Sequence, residues 1–260
     1  MVGAASKEKE VIMIFVGLAL VLAIDVSGSM DDAEWKLEKL GYVQAFRDPS
    51  VARAIFDRTD VAITVVEWSN TQQVVVVPWR ILKDASSTAS FASEVASIGR
   101  VPMPANTSLR RAIAFSTQLL EDAPFAADRR VIDISGDGPE SFPDGLPLRG
   151  EALKKGITIN GLPIRGKNLY PRDIERYYRD NVIGGPGAFY VVANGYEDFA
   201  RAILKKLILE LVADATTECR SGLSVTPLLQ RDPRHAADQC GDEQSSLVRD
   251  LEETLPLRPR

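Results

Sequence analysis

Val16-Gly17-Leu18-Ala19-Leu20-Val21-Leu22-Ala23-Ile24-Asp25-Val26-Ser27-Gly28-Ser29 is the stretch on which the fold turns. Nine residues without a polar side chain stop abruptly at an aspartate. A continuous apolar run of strand length is expected where helices cover both faces of a sheet, whereas a half-exposed strand alternates. Gly17 to Asp25 therefore reads as a central strand, with the serines just beyond its carboxyl end. The apolar character begins earlier, at Val11, behind Lys7-Glu8-Lys9-Glu10. Val11 to Ile24 is too short for an ordinary membrane-spanning helix. As the core of an export signal it has a weakly basic flank and no small-residue cleavage site behind it. Cleavage there would also remove the strand that positions Asp25. Residues 1–15 are accordingly assigned to an N-terminal extension or signal remnant, and 16–213 to one domain.

Outward from this strand, helical and extended patterns alternate. Ala33 to Arg47 is helical, with Leu37, Leu40, Val43 and Phe46 at helical spacing and Asp31 or Asp32 able to cap it. Val61 to Ser69 and Thr71 to Val77 are β-branched strands that form a hairpin around Asn70, and Pro78 is expected to stop the second. Helices follow over Thr88 to Ile98 and Ser108 to Glu121, and a buried strand over Arg130 to Ser135. The remainder reads as a helix near Glu151, a strand over Ile157 to Leu162, a helix over Arg172 to Asn181, a short strand over Phe189 to Val192, and an amphipathic helix over Tyr196 to Leu211. Strands alternating with helices predict an α/β fold: a doubly wound, mostly parallel six-stranded sheet, one antiparallel edge strand from the hairpin, and helices on both faces. Residues 214–260 are polar, hold Pro227, Pro233, Pro256 and Pro259, and show no sustained periodicity; they read as a flexible tail.

Composition removes several kinds of chemistry. The chain has 260 residues, a formal net charge of −5 and a single histidine, His235, in the polar tail. A serine–histidine–aspartate triad or a zinc site of imidazole and thiolate ligands has too little material here. Basic residues are scattered rather than gathered into a stripe, so no nucleic-acid partner is expected. Cys219 and Cys240 can pair in an oxidising compartment or remain free thiols, and two cysteines do not decide between these.

The chemistry sits at the strand ends. In an open α/β sheet, the loops beyond the carboxyl ends of the strands form the binding crevice. Asp25, Ser27 and Ser29 alternate, so an extended turn aims three oxygens at one point. Thr107, just ahead of a helix, and Asp137, between Gly136 and Gly138 after the Arg130 to Ser135 strand, should reach the same point. An all-oxygen donor set suits a hard cation, Mg²⁺ first, with Mn²⁺ or Ca²⁺ as alternatives, and disfavours zinc or copper. Each element has a plainer reading on its own: Asp and Ser cap helices, threonine precedes them, and Gly-Asp-Gly makes a turn. The combination, in order and at the right ends, carries the assignment. Asp31 and Asp32 can be read as a secondary cation site, although helix capping accounts for them more simply. Gly184-Gly185-Pro186-Gly187 lacks the lysine and following helix of a phosphate loop and reads as a structural turn.

Asp25-Val26-Ser27-Gly28-Ser29, Thr107 and Ser135-Gly136-Asp137-Gly138 together resemble the metal-ion-dependent adhesion site (MIDAS) of von Willebrand factor A (VWA) domains, over roughly Val16 to Leu211. The resemblance implies that Ser27, Ser29 and Thr107 contact a metal. It implies also that Asp25 and Asp137 act largely through bound water or as nearby charges, and that a partner's carboxylate completes the site. Val66-Glu67-Trp68-Ser69, Val77-Pro78-Trp79, Gly156 to Pro163 and Tyr177 to Phe189 look more narrowly like an uncharacterised bacterial A-domain family. Members of that family are commonly made with an export signal, which implies an exported or periplasmic location; the start of this chain departs from that pattern. The expectation is a cation-dependent protein-binding module that holds a partner's Asp or Glu, without enzymatic activity or membrane association of the folded domain. The alternatives are a Mg²⁺-dependent hydrolase or phosphatase using Asp25, and a structural domain with a vacant site.

Overall fold

Strand β1 (Ile14–Asp25) lies in the middle of a five-stranded sheet of order β3-β2-β1-β4-β5, in this computed structural model. The structure describes residues 14–56, 60–101, 106–141, 148–166 and 173–212. The chain divides into two units, Met1–Leu211 and Val212–Arg260. The tail expected over 214–260, with Cys219 and Cys240, lies outside the described residues, as does the extension up to residue 13. No described helix is long and apolar enough to cross a membrane.

The elements follow as α1 (Asp32–Arg47), α2 (Pro49–Phe56), β2 (Val61–Trp68), β3 (Gln73–Leu82), α3 (Ala85–Ser97), α4 (Leu109–Glu121), β4 (Phe125–Gly136), α5 (Gly150–Lys154), β5 (Thr158–Pro163), α6 (Ile174–Tyr177) and α7 (Phe199–Val212). A π-helical turn, Tyr178–Val182, continues α6, and a single 3₁₀ turn, Tyr196–Asp198, leads into α7. β1 pairs in parallel with β2 and β4, β4 with β5, and β3 runs antiparallel on β2. The doubly wound plan is therefore as expected, and β1 is buried from Val16 onward because both faces are covered. Ala19, Val21 and Ala23 share a core with Leu109, Ala112 and Ile113 of α4 and with Ile132 and Ile134 of β4. On the opposite face, Asp133 and Ser135 of β4 meet α7 and α1.

Four particulars differ from the sequence reading. The sixth strand is absent as a ladder. Residues 189–193 run beside β5 through bridges at Gly161–Tyr190 and Ile164–Ala193 only. Between those bridges, the amide that would join them belongs to Pro163, which has no N–H to give. Second, β3 does not stop at Pro78 but runs on to Leu82. One register shift of β3 on β2 falls between the pairs Ile63–Arg80 and Val65–Val77, which bracket Pro78, and a second between Val65–Val77 and Val66–Val75; a proline is tolerated in such a bulge on an edge strand. Third, α2 is an additional helix, begun by Pro49 in the first turn, where a missing N–H costs nothing. Fourth, α1 is turned part of the way from its expected face: Val43 and Phe46 are buried as expected, whereas Leu37 and Leu40 are not. Leu40 is 48% exposed, while Trp35, Glu38, Gly41 and Tyr42 point inward. The rotation seats Gly41 against Phe199 of α7, where an added Cβ would lie 2.6 Å from the ring, and it buries a glutamate beside the site.

Candidate metal centre

The sheet order places the site. The chain leaves β1 towards β2 on one side and returns to β4 on the other, so β1 and β4 flank the point where the winding reverses. Asp25 closes β1 and Asp137 follows β4. Past Asp25, the Val26 amide still donates to the Trp68 carbonyl (2.9 Å), and the Ser27 amide then donates to Asp25 Oδ1 (2.8 Å). A turn closed by Met30 N to Ser27 O (3.1 Å) delivers the chain to α1. There Asp31 accepts from the Ala33 and Glu34 amides in a capping box, and Asp32 pairs with Arg100 at 2.6 Å. The residues of the secondary cation reading are thus occupied in capping and in an ion pair.

The five expected site residues come together from three loops. Ser27 Oγ lies 3.3 Å from both Ser29 Oγ and Thr107 Oγ1, although Thr107 is 80 residues away, and Ser29 donates to Asp137 Oδ1 at 2.7 Å. The Thr107 loop is fixed to the loop after β4 by reciprocal bonds: Thr107 N to Ser141 Oγ (3.0 Å) and Ser141 N to Thr107 O (3.1 Å). Glu140 Oε2 accepts from the Arg110 amide at 3.0 Å, and its own amide donates to the Tyr177 hydroxyl at 3.1 Å. Ser27, Asp25 and Thr107 are buried and Ser29 is exposed, so the cluster has a closed floor and an open rim.

Its electrostatics are those of an anionic pocket short of positive charge. Burial, and then the charge of Asp137, push the Asp25 carboxyl up to about 7. Burial also raises Asp137, against the hydrogen bond from Ser29. Behind them lies Glu38, which the sequence reading missed. It is fully buried, accepts from Ser135 Oγ at 2.6 Å, and is held well above the usual carboxylate range by burial. Asp25 Oδ2 and Glu38 Oε2 have no hydrogen-bond partner among the described residues. Tyr196, at the entry to α7, brings its hydroxyl near enough to Asp137 to lower that carboxyl without completing a hydrogen bond. Arg100, which also donates to the Met30 carbonyl at 2.6 Å, eases Asp25 only weakly. Glu38 was legible in principle, since a glutamate between Trp35 and Tyr42 breaks the apolar stripe of α1; Arg100 and Tyr196 carry no such mark.

These residues fit a hard divalent cation. No group of three or more Asp, Glu, His or Cys spaced for a metal occurs among the described residues, so the donors here are hydroxyls. Neighbouring ligands of an octahedral Mg²⁺ lie about 3 Å apart, close to the 3.3 Å between these hydroxyl oxygens. The unpartnered Asp25 Oδ2 is the kind of atom that a metal-bound water would satisfy. Gly136 keeps this space open, because a Cβ there would sit 2.9 Å from both Asp25 Oδ2 and the Tyr178 hydroxyl. Gly136→Ala should therefore destabilise the protein by about 2 kcal/mol through overpacking and weaken metal binding; a urea midpoint equal to the parent's would refute the crowding.

The model of the family described as "Protein of unknown function (DUF1194)" matches residues 15–215. Among solved structures, the chain resembles a von Willebrand factor type A protein from Catenulispora acidiphila (TM-score 0.52, 19% identity), covering 75% of this chain and 43% of that one. It resembles the pilus adhesin SpaC from Lactobacillus rhamnosus GG in its open conformation (0.54, 13%), over 76% of this chain and 30% of that one. It also resembles proximal thread matrix protein 1 from the mussel byssus with a zinc-occupied MIDAS motif (0.52, 13%), over 75% and 46%. The chain thus spans less than half the length of each of these structures. No curated protein matches it. At these identities the likeness is one of fold, and the fold is that of VWA domains.

Proposed function

This chain belongs to the DUF1194 family, and from that membership and its VWA fold we propose that it is a divalent-cation-dependent protein-binding module, Ser27, Ser29 and Thr107 holding the cation. Asp25 and Asp137 act from just outside, through water or as charges. The observation that carries the proposal is the meeting of the Ser29 and Thr107 hydroxyls on that of Ser27, each 3.3 Å from it, beside a buried carboxylate oxygen without a partner among the described residues. Neutral hydroxyl ligands leave most of a divalent charge uncompensated. A partner's Asp or Glu, entering at the exposed Ser29 side, supplies what is missing. Mg²⁺ suits the donor set best, with Mn²⁺ or Ca²⁺ as substitutes. That one structure of this fold is described with zinc in its MIDAS motif supports a divalent ion at such a site, and SpaC, an adhesin, supports a binding role. The partner is a protein, neither a nucleic acid nor a membrane. Catalysis through Asp25 is disfavoured because a nucleophile must be reached, whereas Asp25 is 1% exposed and its Oδ1 already accepts from Ser27.

Calorimetric titration with Mg²⁺, Mn²⁺, Ca²⁺ and Zn²⁺, followed by acetate as a carboxylate probe, tests this. Metal heat followed by metal-dependent acetate binding is expected, and no heat at millimolar metal would mean a structural domain with a vacant site. Asp137→Ala should weaken Mn²⁺ binding by roughly 10- to 100-fold, as the loss of an outer partner of a metal site does, while the chelated protein melts within a few degrees of the parent. Equal affinity in the variant would remove Asp137 from the site. Turnover of phosphate esters, lost in Asp25→Asn, would favour the hydrolase.

A further inference from the structure

The seam between α7 and the sheet is not purely apolar. Lys206 and Glu210 of α7 are both fully buried. Lys206 Nζ lies 2.5 Å from Asp133 Oδ1 of β4 and 5.1 Å over the Phe189 ring. Glu210 Oε1 accepts from Arg129 Nη2 at 2.7 Å, its carbonyl accepts from Arg129 Nη1 at 3.2 Å, and its Oε2 accepts from Asn160 of β5. Asn160 in turn accepts from the Phe189 amide at 2.9 Å. Removing such charges from water is costly, and buried ion pairs are weak stabilisers against an apolar isostere; their best-attested use is to specify register.

Beyond Phe199, seated against Gly41 and Tyr42 at the start of α7, the apolar contacts of the helix leave its register open. Ile203, Leu207 and Leu211 stand four residues apart on one row, so in a one-turn slip two of the three positions are refilled by a side chain of similar size. The adjacent row, Ala202, Lys206 and Glu210, has no such symmetry. Lys206 faces Asp133 and Glu210 faces Arg129, so α7 runs antiparallel to β4. A slip of one turn one way sets Glu210 against Asp133; the other way, it sets Lys206 against Arg129. Both juxtapose like charges, at Asp133 in a fully buried place and at Arg129 in a partly buried one.

We propose that the Asp133–Lys206 and Arg129–Glu210–Asn160 contacts lock α7 in one register on the sheet. Tyr196 lies only three residues ahead of Phe199, the first residue of α7, so the same register sets where the 3₁₀ turn that leads into the helix sits. The lock is independent of whether a metal binds.

Hydrogen exchange tests it, with the β1 amides as internal reference. The single variants Lys206→Met and Asp133→Leu each strand a buried charge, and should lower Tm by roughly 10 °C. The fourfold variant Arg129→Met, Asp133→Leu, Lys206→Met, Glu210→Gln removes every charge of the network and keeps an acceptor for Asn160. It should melt within about 5 °C of the parent, yet exchange its α7 amides about tenfold faster relative to β1. Unchanged relative exchange in α7 would overturn the lock. So would a fourfold variant as unstable as the single ones, since the charges would then hold the fold itself rather than its register.

Discussion

Asp25→Asn should make the metal-free protein more stable at pH 8 while reducing its Mn²⁺ affinity roughly 100-fold or more. The two effects have one cause. Asp25 is buried, its Oδ1 is spent on the Ser27 amide, and its Oδ2 has no partner among the described residues, so above about pH 7 the site carries a poorly solvated charge. Asparagine keeps the acceptor for Ser27 and drops the charge. With the carboxyl raised to about 7 from 3.8, the stabilisation in chelator is on the order of a few kcal/mol at pH 8. Urea unfolding in chelator measures the first effect and calorimetric titration the second. A variant that unfolds earlier than the parent in chelator would show that the charge is compensated in the metal-free protein, and unaltered Mn²⁺ affinity would remove Asp25 from the site.

Acidification from pH 8 to about pH 5 should stabilise the chelated protein, contrary to the usual loss of stability in acid. Asp25 is raised to about 7 and Asp133 to about 6, each chiefly by burial, from an ordinary value of 3.8. Between 3.8 and these values the native state binds protons that the unfolded chain does not. Stability therefore falls as pH rises through that window, by up to about 1.4 kcal/mol per pH unit for each group. Saturating Mg²⁺ changes the sign of the comparison. It binds the ionised site, so the stabilisation by metal grows from pH 5 to 8, and apparent affinity weakens up to tenfold for each unit below 7 as a proton competes. Thermal scans across this range, with chelator and with Mg²⁺, separate the two curves. A chelated protein that loses stability steadily from pH 8 to 6 would contradict the raising of the Asp25 and Asp133 carboxyls by burial, and Asp25→Asn should flatten the parent's slope.

The site was the more legible half of this protein. Asp25, Ser27 and Ser29 are local in sequence, and Thr107 and Asp137 each stand where a recognisable element begins or ends, so spacing and order, with the resemblance to VWA domains, mark them as candidates. Glu38, Arg100 and Tyr196 reach the same place by packing: the rotation of α1 on α7, the Arg100 clamp on Met30 and Asp32, and the seating of the 3₁₀ turn ahead of α7.

By itself, the sequence determined the doubly wound α/β plan, the central place of the strand ending in Asp25, and the identity of five residues at one pole of the sheet. Apolar periodicity and strand-end placement are properties of short segments, readable without knowing what lies opposite. Only the tertiary structure decided that Pro163 denies the sheet a sixth strand, that Pro78 sits in a bulge rather than ending β3, and that α1 turns a glutamate inward while exposing Leu40. It also paired Lys206 with Asp133 and Glu210 with Arg129. Those outcomes depend on which partner each backbone amide, ring and charge meets across the sheet, and a missing N–H or a buried carboxylate acquires its cost only from that partner.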